Sequence, residues 1–337
     1  MPIPQPQSVK QAVSCGACGS TNNHKLLDPL SHEYVQDGIR STWAYTLLEC
    51  RQCGLGWIDP LPDNEMLQTF YPQSYGCYAP PVVEGKSLKF ALAKAKLSTD
   101  SGLLSRWGKR AAATLIEVIS GRTISFTLSV PLQFPTTATF LELGYGSGSW
   151  LLSMSQRGYT HLWGYDIEAN AEGKQRLEDR GVTVSSGLFL ENDYPQEYFD
   201  CIRLEHVFEH LAAPQAVLEK CHRLLKPGGA LVLSLPSKGS WSFALEPRYC
   251  ASLDVPRHLF HHTEASVALM LDRAGFSGVV AKSYPVIMVL GASINNQLGD
   301  KNLPKVPVMF FQLLGPIYRA FAYIAGRGEF MTVLAYK

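Results

Sequence analysis

Phe140-Leu141-Glu142-Leu143-Gly144-Tyr145-Gly146-Ser147-Gly148 is the stretch on which the fold turns. A short strand-like run, Ala138–Leu143, meets three glycines at alternate positions, and Ser147–Arg157 then reads as a helix. Glycines permit positive φ and let the backbone approach a ligand without a Cβ in the way. Amides at the start of the helix favour a carboxylate or phosphate. Taken alone, the turn also suits a tight strand-to-helix connection with no ligand. The next strand-like run, His161–Asp166, ends in Gly164-Tyr165-Asp166. This puts a carboxylate at the carboxyl edge of a sheet about 20 residues past the glycines, where it can accept the hydroxyls of a ribose. Capping of the following helix is the other use for Asp166. Together the two features leave open a nicotinamide enzyme or an adenosyl-ligand enzyme.

The alternation continues downstream. A charged helix is predicted over Ala169–Arg180, strands at Val182–Ser185 and Phe199–Leu204, a helix over Ala212–Leu225 and a strand at Ala230–Leu235. A helix at Thr263–Ala274 precedes two further strands, Val279–Val289 and Met331–Tyr336. This spacing predicts an α/β fold with a Rossmann-like, seven-stranded, mostly parallel sheet covered by helices on both faces. Upstream, residues 1–79 form a separate small module, residues 80–135 a connector with a helical stretch at Ser87–Ile119, and residues 136–337 the α/β domain. No internal repeat is visible.

With 337 residues, 46% of them apolar, the chain can bury a large core. A net charge of +1 argues against a dedicated nucleic-acid binder, which carries a basic excess. Residues 1–20 contain no uninterrupted apolar run of the secretory kind, so a cytoplasmic compartment is expected. The segment 306–326 is apolar and long enough to span a bilayer, but Arg319 and Pro316 interrupt it. A buried or lid-forming helix is expected there, with peripheral membrane contact as the alternative.

Phe140–Gly148, with its acid at Glu142, resembles motif I of class I S-adenosylmethionine (SAM)-dependent methyltransferases. So do Tyr198-Phe199-Asp200-Cys201-Ile202, Glu205-His206-Val207-Phe208-Glu209-His210-Leu211 and Leu224-Leu225-Lys226-Pro227-Gly228-Gly229. These blocks cover roughly Thr137 to Pro236, and their combination is far more specific than any one of them. The resemblance implies that Gly144, Gly146 and Gly148 line the methionine part of SAM. By the same resemblance Glu142 reaches its amino group, Asp166 holds the ribose, and Glu205 and His206 lie near the methionine end or the acceptor. Family members commonly place an Asp or Asn after the third strand for the adenine amine. This chain has Ser186-Gly187-Leu188-Phe189, so adenine recognition falls to backbone amides and Leu188.

Eight cysteines are present, and four form two pairs, Cys15-Gly16-Ala17-Cys18 and Cys50-Arg51-Gln52-Cys53. Each C-x-x-C can set two thiolates on one ion, and four thiolates close a tetrahedron, predicting a structural Zn²⁺. The arrangement is similar to the N-terminal zinc module of sugar and other small-molecule methyltransferases, in which Tyr71-Pro72-Gln73-Ser74-Tyr75 resembles the segment joining module to SAM site. That resemblance implies a pocket role for Tyr75 and a small-molecule or sugar-containing acceptor. Methylation of RNA or protein, or of a membrane-associated lipid or quinone, is the alternative.

Past the fifth strand lies Asp254-Val255-Pro256-Arg257-His258-Leu259-Phe260-His261-His262-Thr263. A histidine on the acceptor side can take a proton as the methyl group moves. The segment resembles the base-bearing stretch of the same methyltransferases, which implies His258 as the base, with Arg257 orienting an anionic group. His206 is the competing candidate. Thr263 is expected to cap the next helix, and His261 and His262 to be structural or solvent-facing. A metal site built on the three histidines of this segment lacks a carboxylate partner in helical register.

Overall fold

The computed structural model describes residues 14–36, 39–62, 66–67, 134–167 and 171–337, without the side chains of Pro29 and 31–43. Tyr75 and most of the expected connector lie outside the described residues.

The seven-stranded sheet contains β4 (Thr139–Leu143), β5 (His161–Asp166), β6 (Thr183–Ser186), β7 (Phe199–Glu205), β8 (Leu225–Pro236), β10 (Ser277–Tyr284) and β11 (Phe330–Tyr336). Its order is β10-β11-β8-β7-β4-β5-β6. The β4–β5, β5–β6, β4–β7 and β7–β8 pairs are parallel, and only β11 runs against its neighbours. This is the mostly parallel, Rossmann-like sheet expected from the strand–helix alternation. Successive connections leave β4 to one side toward β5 and then cross to β7 on the other. That reversal opens a crevice at the carboxyl ends of β4 and β7, where open α/β sheets bind ligands.

Every residue of β4 is buried, and neighbouring side chains point to opposite faces. Phe140 joins Trp150, Leu151 and Met154 of α1 (Ser149–Ser155) and Leu177 of α2 (Ala171–Glu178) on one face. Leu141 and Leu143 join Val217 and Leu218 of α3 (Pro214–Leu224), and Val267 and Met270 of α5 (Glu264–Arg273), on the other. Thr263 caps α5 as expected, accepting from Ser266 N in a reciprocal capping box.

A second, four-stranded sheet carries the N-terminal residues in the order β1-β2-β3-β9. β1 (Asn23–Gln36), β2 (Ile39–Cys50) and β3 (Gly56–Asp59) form an antiparallel meander. Its last strand, β9 (Phe260–His261), comes from the histidine segment, with Gly56 opposite His261 and Trp57 opposite Phe260. Tyr45, Leu47, Trp57 and Ile58 also share the core of one face of the large sheet, so the small sheet packs directly on it.

Two expectations need correction. The strand predicted over Val279–Val289 stops at Tyr284, and α6 (Ile287–Asp300) begins three residues later. Pro285 offers no ladder hydrogen, and Val286 N donates instead to Glu329 across 2.7 Å. The apolar segment 306–326 folds as α7 (Val308–Ala325), but it is not a buried helix. Only Phe311, Gly315 and Ala322 are buried, while Met309, Leu313, Ile317, Phe321 and Ile324 are largely exposed. Among the described residues it is the one helix long and apolar enough to cross a membrane by length and composition. α6 and α7 sit between β10 and β11, whose Tyr284 and Phe330 pair at the end where β8 reaches Pro236. A short helix α4 (Trp241–Leu245) leaves the same edge after β8.

Candidate active site

The glycine turn is built by left-handed backbone at Gly144 (φ 70°), Gly146 (φ 52°) and Gly148 (φ 73°). A Cβ on Gly144 would stand 2.3 Å from Val207 Cγ2, so two βα connections approach as closely as glycine allows. The amides of Gly144 and Tyr145 both reach Tyr165 O, at 2.7 and 3.2 Å. Gly146 N donates to Asp166 Oδ2 at 2.8 Å. Asp166 is buried at the end of β5, with exposed Ile167 beyond it and exposed Leu188 after β6. Gly187, at φ 94°, carries the chain away from β6, and its carbonyl accepts from Tyr165 OH. The sequence-predicted Gly144, Gly146, Gly148, Asp166 and Leu188 therefore gather at the carboxyl edge of β4, β5 and β6.

Glu142 and Glu205 meet through a residue the sequence reading did not single out. Arg203, buried in β7 opposite Glu142, pairs with both carboxylates. Its guanidinium lies 4.7 Å from the Trp150 ring centroid. Burial pushes the Glu142 carboxyl above the usual carboxylate range, with Arg203 pulling it back. Glu142 Oε2 is buried with no hydrogen-bond partner among the described residues. An arginine between Ile202 and Leu204 of a central strand was the available signal, because a buried charge needs a partner.

The histidines lie on the loop after β7 and on the segment that leads into β9. His206 follows β7 in the left-handed region (φ 54°), and its amide donates to Ser234 O. Its side chain is 41% exposed and its Nδ1 lies 3.4 Å from Glu209 Oε1. The ring packs edge-on against Phe330 at 4.8 Å. His258 is more enclosed, its side chain 12% exposed, with Nδ1 against Ser252 O at 2.8 Å and Nε2 3.8 Å from Asp254. The His210 and His258 rings lie 4.7 Å apart. Glu209 is buried between these imidazoles. Burial alone would raise its carboxyl, but His206, His210 and His258 outweigh that and hold it down at about 2. Arg257 forms a two-pronged pair with Asp254. His261 and His262 are both buried, which selects the structural reading for them.

The four cysteines converge. All four sulfurs lie within 4.8 Å of one another, with Cys15–Cys53 and Cys18–Cys50 at 3.5 Å. Gly19 and Gly54, both at φ 74°, close matching turns in which their amides return to Cys15 O and Cys50 O. Four thiolates about 2.3 Å from one zinc are spaced about 3.8 Å apart, so the donor set fits a tetrahedral ion. This cluster is tied to the histidine segment. Thr263 Oγ1 donates to Cys53 O at 2.9 Å, and Arg273 donates to the carbonyls of Gly16 and Ala17.

The sequence profile of the methyltransferase domain family matches residues 107–281, just over half of the chain. The ubiquinone biosynthesis O-methyltransferase of Xanthomonas axonopodis pv. citri is 30% identical over 153 residues, 42% of this chain and 63% of that protein. Its counterpart from Cereibacter sphaeroides is 34% identical over 122 residues, 35% of this chain and 49% of that protein. The chain thus spans less than two thirds of the length of these curated relatives. Among solved structures, a SAM-dependent methyltransferase from Thermotoga maritima, a possible histamine N-methyltransferase, aligns over 67% of this chain and 94% of its own. Its TM-score is 0.43 and its identity 16%. With the glycine turn, the acid after β5 and the strand order all in place, the chain belongs to the methyltransferase domain family.

Proposed function

We propose that the chain transfers the methyl group of SAM to a small-molecule or glycoconjugate acceptor held at the carboxyl edge of its sheet. The observation that carries this reading is the close approach of Gly144, in the turn that holds Asp166, to Val207 on the loop that bears His206, Glu209 and His210, the last two clustered with His258. SAM supplies an electrophilic methyl group on a sulfonium. The protein's own work is then to bind the cofactor, align the acceptor and take a proton. Asp166 suits the ribose hydroxyls, the three glycines the methionine chain, and Glu142 Oε2, without a partner among the described residues, the amino group. Exposed Ile167 and Leu188 offer apolar surface for adenine in place of a side-chain amide or acid. Glu205 stands beside Glu142 through Arg203, at the methionine end.

His206 is the stronger candidate base. It is the more exposed of the two histidines and is held in a backbone region that costs a non-glycine residue about 1–3 kcal/mol, the kind of strain that clusters at functional sites. His258, more enclosed, is the second candidate. We assign a structural Zn²⁺ to Cys15, Cys18, Cys50 and Cys53, on the spacing of their sulfurs.

A second reading, a lipid- or quinone-type acceptor met at a membrane surface, is favoured by α7. Its exposed row Met309, Leu313, Ile317 and Phe321 follows exposed Lys301 and Lys305, a pairing suited to an anionic bilayer interface. O-methylation is the activity named for the curated relatives. Incubating the purified chain with SAM and nucleotide-sugar, quinone-precursor or RNA acceptors, and measuring S-adenosylhomocysteine, separates these readings. Product with the first group supports the leading one and product with the second the membrane reading. Product with RNA alone contradicts both.

A further inference from the structure

We propose that Glu209, His210 and His258 form a second metal site, separate from the cysteine knuckles, that takes a first-row divalent cation. One ligand atom from each residue lies within 4.8 Å of the other two. Ligands about 2.1 Å from one ion are spaced about 3.0–3.4 Å apart, so small side-chain rotations close the set.

The ring orientations suit the role. His210 Nδ1 lies 2.9 Å from Arg257 O, and His258 Nδ1 lies 2.8 Å from Ser252 O. A carbonyl only accepts, so both Nδ1 atoms donate to the backbone, and Nε2 is the atom of each ring that would face the ion. An imidazole anchored through one nitrogen to the backbone and offering the other is the arrangement metal-binding histidines adopt.

Glu209 supplies the third donor. It is 1% exposed, and neither carboxylate oxygen has a hydrogen-bond partner among the described residues. The nearby His206 Nδ1 makes an ion-pair contact with Oε1 but not a hydrogen bond. A buried carboxylate left without donors is costly unless paired or coordinated. Leu259 N donates to Glu209 O at 2.9 Å, so the loop carrying His258 is stitched to the residue that would share its ion.

Two imidazoles with one carboxylate select Mn²⁺, Fe²⁺, Co²⁺ or Zn²⁺ over the all-oxygen preference of Mg²⁺ and Ca²⁺, and they leave coordination positions open. On the methyl-transfer reading, an acceptor hydroxyl occupying an open position would lose its proton more readily. The proton would pass to His206, the acceptor oxygen would form its bond to the methyl carbon, and the carbon–sulfur bond would break to leave the thioether.

The test uses the full chain with its knuckle ion in place, dialysed against EDTA and titrated with Mn²⁺ while free Mn²⁺ is followed by electron paramagnetic resonance. One Mn²⁺ per chain at micromolar concentrations is expected. Glu209→Gln and His258→Ala should each weaken it at least tenfold and leave zinc content at one per chain. No Mn²⁺ binding up to the millimolar range, or binding unchanged in both variants, overturns the site. Should the variants fail to fold, X-ray absorption of the zinc-loaded wild type with one equivalent of cobalt decides: a nitrogen/oxygen shell with an imidazole signature is expected, and a sulfur shell or no bound cobalt contradicts the proposal. SAM binding measured on the same samples distinguishes failure of the cation site from failure of the methyl-transfer reading.

Discussion

The amide of Gly146 donates to Asp166 Oδ2 across 2.8 Å, so the glycine turn holds the acid that follows the next strand. The two are 20 residues apart in the chain and adjacent at the edge of the sheet. One contact thus orders both halves of the crevice, because fixing the turn also fixes the carboxylate.

Arg203 bridges Glu142 and Glu205 beneath that crevice. Replacing it by Met keeps the length but strands a buried Glu142. Breaking a buried ion pair by removing one partner costs about 3–5 kcal/mol. Arg203→Met should therefore lower the urea midpoint by that equivalent, and the Glu142→Gln/Arg203→Met double variant should recover part of it. Equal losses in the single and double variants would mean that the pair is not what holds Arg203 in place.

His206→Ala should cut turnover on the true acceptor by about 10²–10⁴, the usual worth of general-base help, with SAM affinity kept within about threefold. Steady-state kinetics beside calorimetry checks both numbers. If His206→Ala retains full turnover and His258→Ala loses it, the enclosed histidine is the base after all.

The seven-stranded sheet was legible because each of its elements carries its own signal: apolar runs ended by glycine turns, then helices of ordinary length. The strands of the N-terminal meander were not read from the sequence, where the paired cysteines carry the stronger signal. β9 could not be read, since two residues, Phe260 and His261, carry no periodicity and join a strand about 200 positions upstream only through tertiary packing. The cysteine set was legible from spacing. The partners of His258 were not: Glu209 and His210 reach it from the loop after β7.

The knuckles hold more than themselves, because β3 pairs with β9 and Thr263 bonds to Cys53 O. Elemental analysis should give one zinc per chain at the cysteines. Cys50→Ser should lose it and reduce methyl transfer through displacement of the histidine loop, while SAM affinity stays within about threefold. Metal-free protein of normal stability and activity would contradict this.

His262 packs against Phe208 at 4.8 Å and is 1% exposed, and burial drives its imidazole down to about 4. The unfolded chain takes up that proton near the ordinary value of about 6.5. Its contribution is therefore complete above pH 6.5 and is lost as pH falls from there toward 4. At pH 5 the loss is about 2 kcal/mol. His262→Phe should be less sensitive to acid than the wild type, seen as a smaller drop in urea midpoint between pH 7 and pH 5. Equal drops would show that this ring is not the acid-sensitive group.

The most direct measurement is a calorimetric titration of the purified chain with SAM, S-adenosylhomocysteine and NAD, repeated with Asp166→Ala. SAM and S-adenosylhomocysteine should bind one per chain and compete, and NAD should not bind. Asp166→Ala should lose about 1–3 kcal/mol of SAM affinity, the worth of charge-assisted hydrogen bonds to the ribose. Tight NAD binding with no SAM binding, or SAM affinity untouched by Asp166→Ala, would contradict the assignment of the crevice to an adenosyl cofactor.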